Sequence, residues 1–159
     1  MHPNAALIQR FYDAFQRRDA DAMVACYTPD VVFTDPAFGR LEGPRAGAMW
    51  KMLCARAQDL ELRASAVEAD DTTGAAHWDA DYTFSATGRK VQNKIDASFR
   101  FRDGLICEHT DRFDFARWCR MALGPTGWLM TVVPPLQGKV RQQALAGLES
   151  WIRKQGGAA

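Results

Sequence analysis

The stretch Gly104-Leu105-Ile106-Cys107-Glu108-His109-Thr110-Asp111-Arg112-Phe113-Asp114 decides how this chain is read. Its alternation predicts a strand with His109, Asp111 and Phe113 on one face, the face that should be buried. An imidazole and a carboxylate pointed into an apolar interior are costly unless they are paired or used. Asp103-Gly104, just before, is a strong hairpin signal. Further upstream, Asn93, Ile95, Ala97, Phe99 and Phe101 alternate with Gln92, Lys94, Asp96, Ser98 and Arg100. Trp78, Ala80, Tyr82 and Phe84 alternate with His77, Asp79, Asp81 and Thr83, and Leu60, Leu62, Ala64 and Ala66 with Glu61, Arg63 and Ser65. Turns at Thr87-Gly88-Arg89 and Asp70 to Gly74 separate these runs, predicting a long antiparallel meander with an apolar inner face and a charged outer one.

Toward the N-terminus the period changes to that of a helix. Leu7, Ile8, Phe11, Tyr12 and Phe15 form one stripe, with Asn4 as the expected N-cap. Asp19 can cap a second helix over Ala20 to Tyr27. Val31 to Asp35 reads as a strand ended by Pro36, and Ala37 to Gly43 as a loop. Pro44 suits the first turn of a third helix whose stripe is Ala46, Met49, Trp50, Leu53, Cys54 and Ala57. Helices followed by a meander are an α+β order rather than a βαβ one. Past Asp114, Phe115 to Leu123 reads as helical and stops at Gly124-Pro125. A last helix buries Val140, Ala144 or Leu145, Leu148, Trp151 and Ile152, with Lys139, Arg141, Arg153 and Lys154 outside.

With 159 residues and 47% hydrophobic content, the chain is long enough for one domain with a real core. Lys and Arg total 20 against 19 for Asp and Glu, and no basic stripe alternates with exposed aromatics, so nucleic acid is not an expected partner. No apolar run reaches the roughly 18 residues that span a bilayer, so no membrane partner is expected. The N-terminus turns directly into an amphipathic helix without a secretory signal. Cys26, Cys54, Cys107 and Cys119 form no CxxC pair and no zinc-like group with the histidines. They read as packed, reduced thiols in a cytoplasmic protein, with no metal site and no cofactor expected.

The order of elements, with Phe33-Thr34-Asp35-Pro36, Phe99-Arg100-Phe101 before Asp103-Gly104, and His109-Thr110-Asp111-Arg112-Phe113-Asp114, resembles the nuclear transport factor 2-like superfamily, and within it the SnoaL-like group. The resemblance covers about Ala5 to Leu123. It implies a curved antiparallel sheet wrapped on N-terminal helices into a cone with an internal apolar pocket, usually a homodimer. Residues 1–123 would form the cone domain, and 124–159 a helical extension packed on the same domain or on the dimer partner. Fold alone does not settle function, because this superfamily hosts isomerases, epoxide hydrolases, cyclases, dehydratases and non-catalytic binding modules.

Asp35 matches the position of the catalytic base in ketosteroid isomerases. That family's two oxyanion donors are absent: Phe11 stands where the tyrosine belongs and Ala97 where the protonated acid belongs. Losing one such donor typically costs about a hundred- to a thousandfold in rate, which excludes an isomerase of that design. For the Asp-Arg-Asp triad of limonene epoxide hydrolases, Asp111 matches one aspartate, but Asp79 and Asp81 fall on the outer face. Glu108-His109-Thr110-Asp111 is similar to the pattern common in SnoaL-like polyketide cyclases, which implies cofactor-free acid–base chemistry with His109 and Asp111 beside Asp35. Phe33, Trp50, Trp78 and Tyr82 would supply apolar walls and Asn93 a ligand hydrogen bond. Two readings stay open: a cyclase, isomerase or dehydratase acting on a small hydrophobic molecule, and a non-catalytic module binding such a molecule or a protein. His109 and Asp111 can equally satisfy each other in the core, and each aromatic can be plain packing.

Overall fold

The computed structural model describes residues 1–157, with nothing stated of the side chains of Met130, Thr131 and Gly157; residues 158 and 159 of the expected extension lie outside the described residues. The chain runs α1 (Pro3–Gln16), α2 (Ala20–Val24), β1 (Tyr27–Asp35), β2 (Gly39–Glu42), α3 (Pro44–Arg56), β3 (Glu61–Ala69), β4 (Thr73–Phe84), β5 (Arg89–Arg102), β6 (Leu105–Arg112), α4 (Phe115–Leu123), α5 (Pro125–Val132) and α6 (Pro135–Gly157). One six-stranded sheet has the order β2-β1-β6-β5-β4-β3. The meander β3 to β6 is antiparallel as its alternation predicts, and β1 joins the far side of β6 in parallel. The result is a curved, unclosed α+β cone whose inner face is covered by α1 and α3.

Local chemistry explains the elements. Asp103 and Gly104 both take positive φ, 54° and 77°, the backbone that a two-residue hairpin between right-twisted strands requires. Pro44 opens α3, and the Asp19 side chain caps α2 by accepting from the Ala22 amide at 3.0 Å. Gly74 lets α1 sit close on the sheet: a Cβ there would come within 2.9 Å of the Ile8 Cδ1 and Phe101 side-chain atoms.

Several details differ from the sequence reading. His2, not Asn4, is the N-cap of α1; its Nδ1 accepts from the Asn4 amide, and Asn4 Nδ2 donates across to the Asp70 and Asp71 carbonyls. α2 stops at Val24, and β1 begins already at Tyr27, passing Pro29 through a register shift between Tyr27 and Val32. The expected loop 37–43 contains β2, which pairs with β1. In β3, Ala66 takes a φ of 51° at a bulge, so it is exposed and Val67 and Ala69 turn inward in its place.

The extension lies on the same chain. Leu148 of α6 is fully buried in the main core, with Ala144, Leu145, Trp151 and Ile152 packed around it, and Arg45 pairs with Glu149. Leu136 and Val140 pack on a second cluster formed by Val91, Phe115, Trp118, Cys119 and Ala122.

Candidate functional site

Strand register brings the inner-face residues together. His109 of β6 sits between Phe33 of β1 and Phe99 of β5, and Asp111 lies opposite Ala97. The His109 ring is completely buried, with Phe99, Phe33, Phe11, Tyr27 and Trp50 around it at ring-centre distances of 4.5 to 6.1 Å.

Every polar atom of that imidazole is engaged. Tyr27 Oη lies 2.7 Å from His109 Nδ1 and accepts a bond from Trp50 Nε1 at 2.9 Å. His109 Nε2 lies 2.9 Å from Asp111 Oδ1, which also receives Trp78 Nε1 at 3.5 Å. An indole can only donate, so the phenol oxygen accepts from Trp50 and its own hydrogen needs an acceptor. Nδ1 is that acceptor, and the neutral ring then carries its proton on Nε2 and donates it to Asp111. The assignment satisfies all five groups at once, as a dry interior demands. Among the described residues, Tyr12 Oη, buried on α1, has no hydrogen-bond partner. Burial first, and the Asp111 charge second, hold its phenol well above the usual range.

Asp35 closes β1 on the same face as Phe33, and the carboxylate is half-buried. Its Oδ1 accepts from the Ala37 and Phe38 amides at 3.0 and 2.6 Å, fixing the turn that leads into β2. Burial raises its pKa to about 7; the Phe38 amide opposes this, Asp111 adds to it, and the Ala37 amide and Arg141 oppose it. Burial outweighs two amide bonds because removing a carboxylate from water is the larger effect. A carboxyl that titrates near neutrality suits a general base for a weakly acidic C–H.

The structure thus brings Asp35, His109 and Asp111 to one inner face. Phe33 and Trp50 are core rings in mutual edge contact, and Trp78 packs on Phe15 and Tyr12. Tyr82 is half-buried and accepts from Trp118 Nε1 at 2.8 Å. Asn93 is buried on β5, two residues along the inner face from Ile95. On the outer face, Asp79 bonds His77 and Asp81 bonds Arg63, so the epoxide-hydrolase triad is not assembled with Asp111. The two cavities that stand out lie elsewhere. One, of about 740 Å³, runs between α3, β1 and the end of α6; the other, of about 450 Å³, lies beside Arg117 and Trp128. No group of three or more metal-ligating side chains occurs among the described residues.

A family model described as the SnoaL-like domain matches residues 8–109, from α1 through the His109 strand. The chain belongs to the SnoaL-like family. Solved structures agree on the fold. An NTF2-like protein of unknown function from Burkholderia pseudomallei is 22% identical, with TM-score 0.66, covering 76% of this chain and 98% of that one. An LEH-like epoxide hydrolase from M. tuberculosis is 22% identical with TM-score 0.64, covering 83% and 96%. A protein named as a candidate polyketide cyclase from Xanthomonas campestris pv. campestris is 24% identical with TM-score 0.63, covering 75% and 96%. No curated protein matches the sequence. The SnoaL-like match stops at His109, short of Asp111 and of α4–α6.

Three participants escape the sequence reading. Tyr27 lies where a helix was expected to end, and Pro29 and Asp30 interrupt the alternation that would have put it on the strand. Tyr12 is visible only as one more member of an apolar stripe. Arg141, read as an outward-facing cation, is half-buried: its Nε donates to the Pro36 carbonyl at 2.7 Å and its guanidinium lies 4.9 Å from the Phe115 ring centre. A single arginine on a polar helix face carries no periodicity signal that separates these two placements.

Proposed function

We propose that this SnoaL-like protein binds a small hydrophobic molecule beside the end of β1 on the sheet's inner face and carries out cofactor-free acid–base chemistry on it, with Asp35 as the base. The observation that carries the reading is the Asp35 carboxyl, half-buried at the end of β1 on the inner face and raised to about 7 first by burial, with Tyr82 close enough for the Asp35 charge to act on its phenol. Asp111 is buried on the same inner face, its charge acts on Asp35, and its Oδ2 stays outside the His109 bond. The reactions that fit are proton removal followed by cyclisation, isomerisation or dehydration. His109 holds Asp111 in place rather than moving a proton itself, because both its nitrogens are engaged in a sealed aromatic cage. The reading includes a homodimer, supported by the apolar side chains that α5 leaves exposed, Trp128, Leu129 and Val132. No helix among the described residues is long and apolar enough to cross a membrane.

Proton–deuterium exchange at the activated carbon of β-tetralone, followed by NMR, tests the base. Wild-type protein should accelerate exchange, and Asp35→Asn should abolish that while still perturbing the ketone's resonances. Equal exchange rates in the two proteins would remove Asp35 from the mechanism. A second reading, a binding module without turnover, is favoured by the saturated Tyr27–His109–Asp111 chain. It predicts ligand perturbation with no exchange in either protein.

A further inference from the structure

We infer that Arg141, delivered by the C-terminal extension, is the electropositive half of the Asp35 site, and that it makes the site select, among apolar molecules, those that present an anionic oxygen. The inference rests on the Asp35 reading and adds to it the substrate class and the group that recognises it.

Arg141 is fixed at two points. Its Nε bonds the carbonyl of Pro36, the residue next to Asp35, and the guanidinium lies against Phe115. Its charge acts on the Asp35 carboxyl, which places the two groups in one electrostatic neighbourhood. No carboxylate lies within ion-pair distance of Arg141 among the described residues, and neither η nitrogen has a hydrogen-bond partner there. A half-buried guanidinium with one nitrogen anchored and two free edges is a preorganised receptor for an oxyanion or carboxylate. Phe115 packs under the guanidinium, and on the Asp35 side Tyr82 is half-buried, its phenol raised by burial and then by the Asp35 charge.

The chemistry closes without any other group. Asp35 takes a proton from the carbon next to a carbonyl; the C–H pair becomes the C=C bond, and the carbonyl π pair moves to oxygen. That enolate oxygen sits on the Arg141 η N–H donors, and the proton held by Asp35 returns to another carbon or to a departing hydroxyl. A fixed cation of this kind supplies the oxyanion stabilisation that Phe11 and Ala97 cannot. It also gives the extension a role at the site, since α6 supplies Arg141 at one turn and Leu148 as a buried anchor two turns later.

Binding of two naphthoquinones by calorimetry tests this: lawsone, an acidic hydroxyquinone ionised at neutral pH, and menadione, its neutral methyl counterpart. Wild type should prefer lawsone at least tenfold. Arg141→Met should lose that preference with menadione affinity unchanged, and Arg141→Lys should keep part of it; thermal unfolding checks that both variants fold. An undiminished preference in Arg141→Met would overturn the assignment of Arg141 alone. Wild type binding neither compound would instead overturn the pocket reading on which it rests.

Discussion

The two faces of the sheet each carry a histidine bonded to aspartate, and they behave as opposites. On the inner face, His109 is sealed in aromatic rings and shares its two nitrogens between Tyr27 and Asp111. On the outer face, His77 bonds Asp96 at 2.8 Å and Asp79 at 3.1 Å, all three at least partly in water. The same pair of residue types is therefore a structural pin on one side and a surface charge cluster on the other. What differs is the solvent. In the dry interior each unpaired atom costs the full loss of hydration, whereas in water the partners are replaceable.

The largest effect should come from breaking the inner pin. Replacing His109 with Ala leaves a cavity and strands Asp111, Tyr27 and both indoles' partners, a loss of about 3–5 kcal/mol in urea unfolding. A loss under 1 kcal/mol, comparable to the outer cluster, would dissolve the contrast.

Asp35 comes next and has the opposite sign. Its folded pKa of about 7 stands above the ordinary carboxylate value of 3.8. The folded protein therefore holds a proton that the unfolded chain has released across that window, and stability falls as pH rises from about 4 to about 7. Above pH 7 the Asp35→Asn variant should be more stable than wild type by up to about 4 kcal/mol, and the gain should vanish below pH 4. Unfolding midpoints at pH 4 and pH 8 measure this directly.

Tyr12 offers a smaller and sharper test of the inner face. Its hydroxyl is buried and unpartnered, so Tyr12→Phe should be neutral or stabilising by about 1 kcal/mol. Destabilisation beyond that would mean the hydroxyl has a partner, such as a bound water, and that the interior is wetter than the ring packing shows.

The smallest effect belongs to His77. Its pKa is raised first by the Asp96 hydrogen bond, then by Asp79, against a burial that lowers it. Its contribution is present below the unfolded value of 6.5 and is lost as pH rises through the raised folded value. Replacement by Gln should cost about 0.2–1 kcal/mol at pH 6 and less in high salt. A cost matching that of His109 would place the outer cluster in a buried interface instead.

The sheet was legible because period-two alternation survives wherever one face is apolar. From Trp78 to Phe99, every inward position read from the sequence is the inward position found, and Asp103-Gly104 makes its hairpin. Alternation fails only at bulges, which is why Ala66 and Tyr27 were misplaced: a single extra residue swaps the faces beyond it. The helix starts at Asp19 and Pro44 were readable because each supplies a specific capping chemistry. The parallel pairing of β1 with β6 left no local mark, since long-range pairing is set by the whole sheet. At the site, the His109–Asp111 pair was readable from parity alone. That it is held by Tyr27 and two indoles was not, because those side chains come from elements far apart in the chain. Arg141 was hidden for the same reason: only the path of α6 turns a surface cation toward Pro36.

We propose that burial on the inner face of the sheet makes Asp35 a base poised at neutral pH. Carbon-13 NMR titration of the Asp35 side-chain carboxyl tests it most directly, with Asp35→Asn identifying the resonance. A midpoint near 7 is the predicted result. A midpoint near 4, the ordinary carboxylate value, would show that the group is solvated like any surface aspartate and would contradict the account.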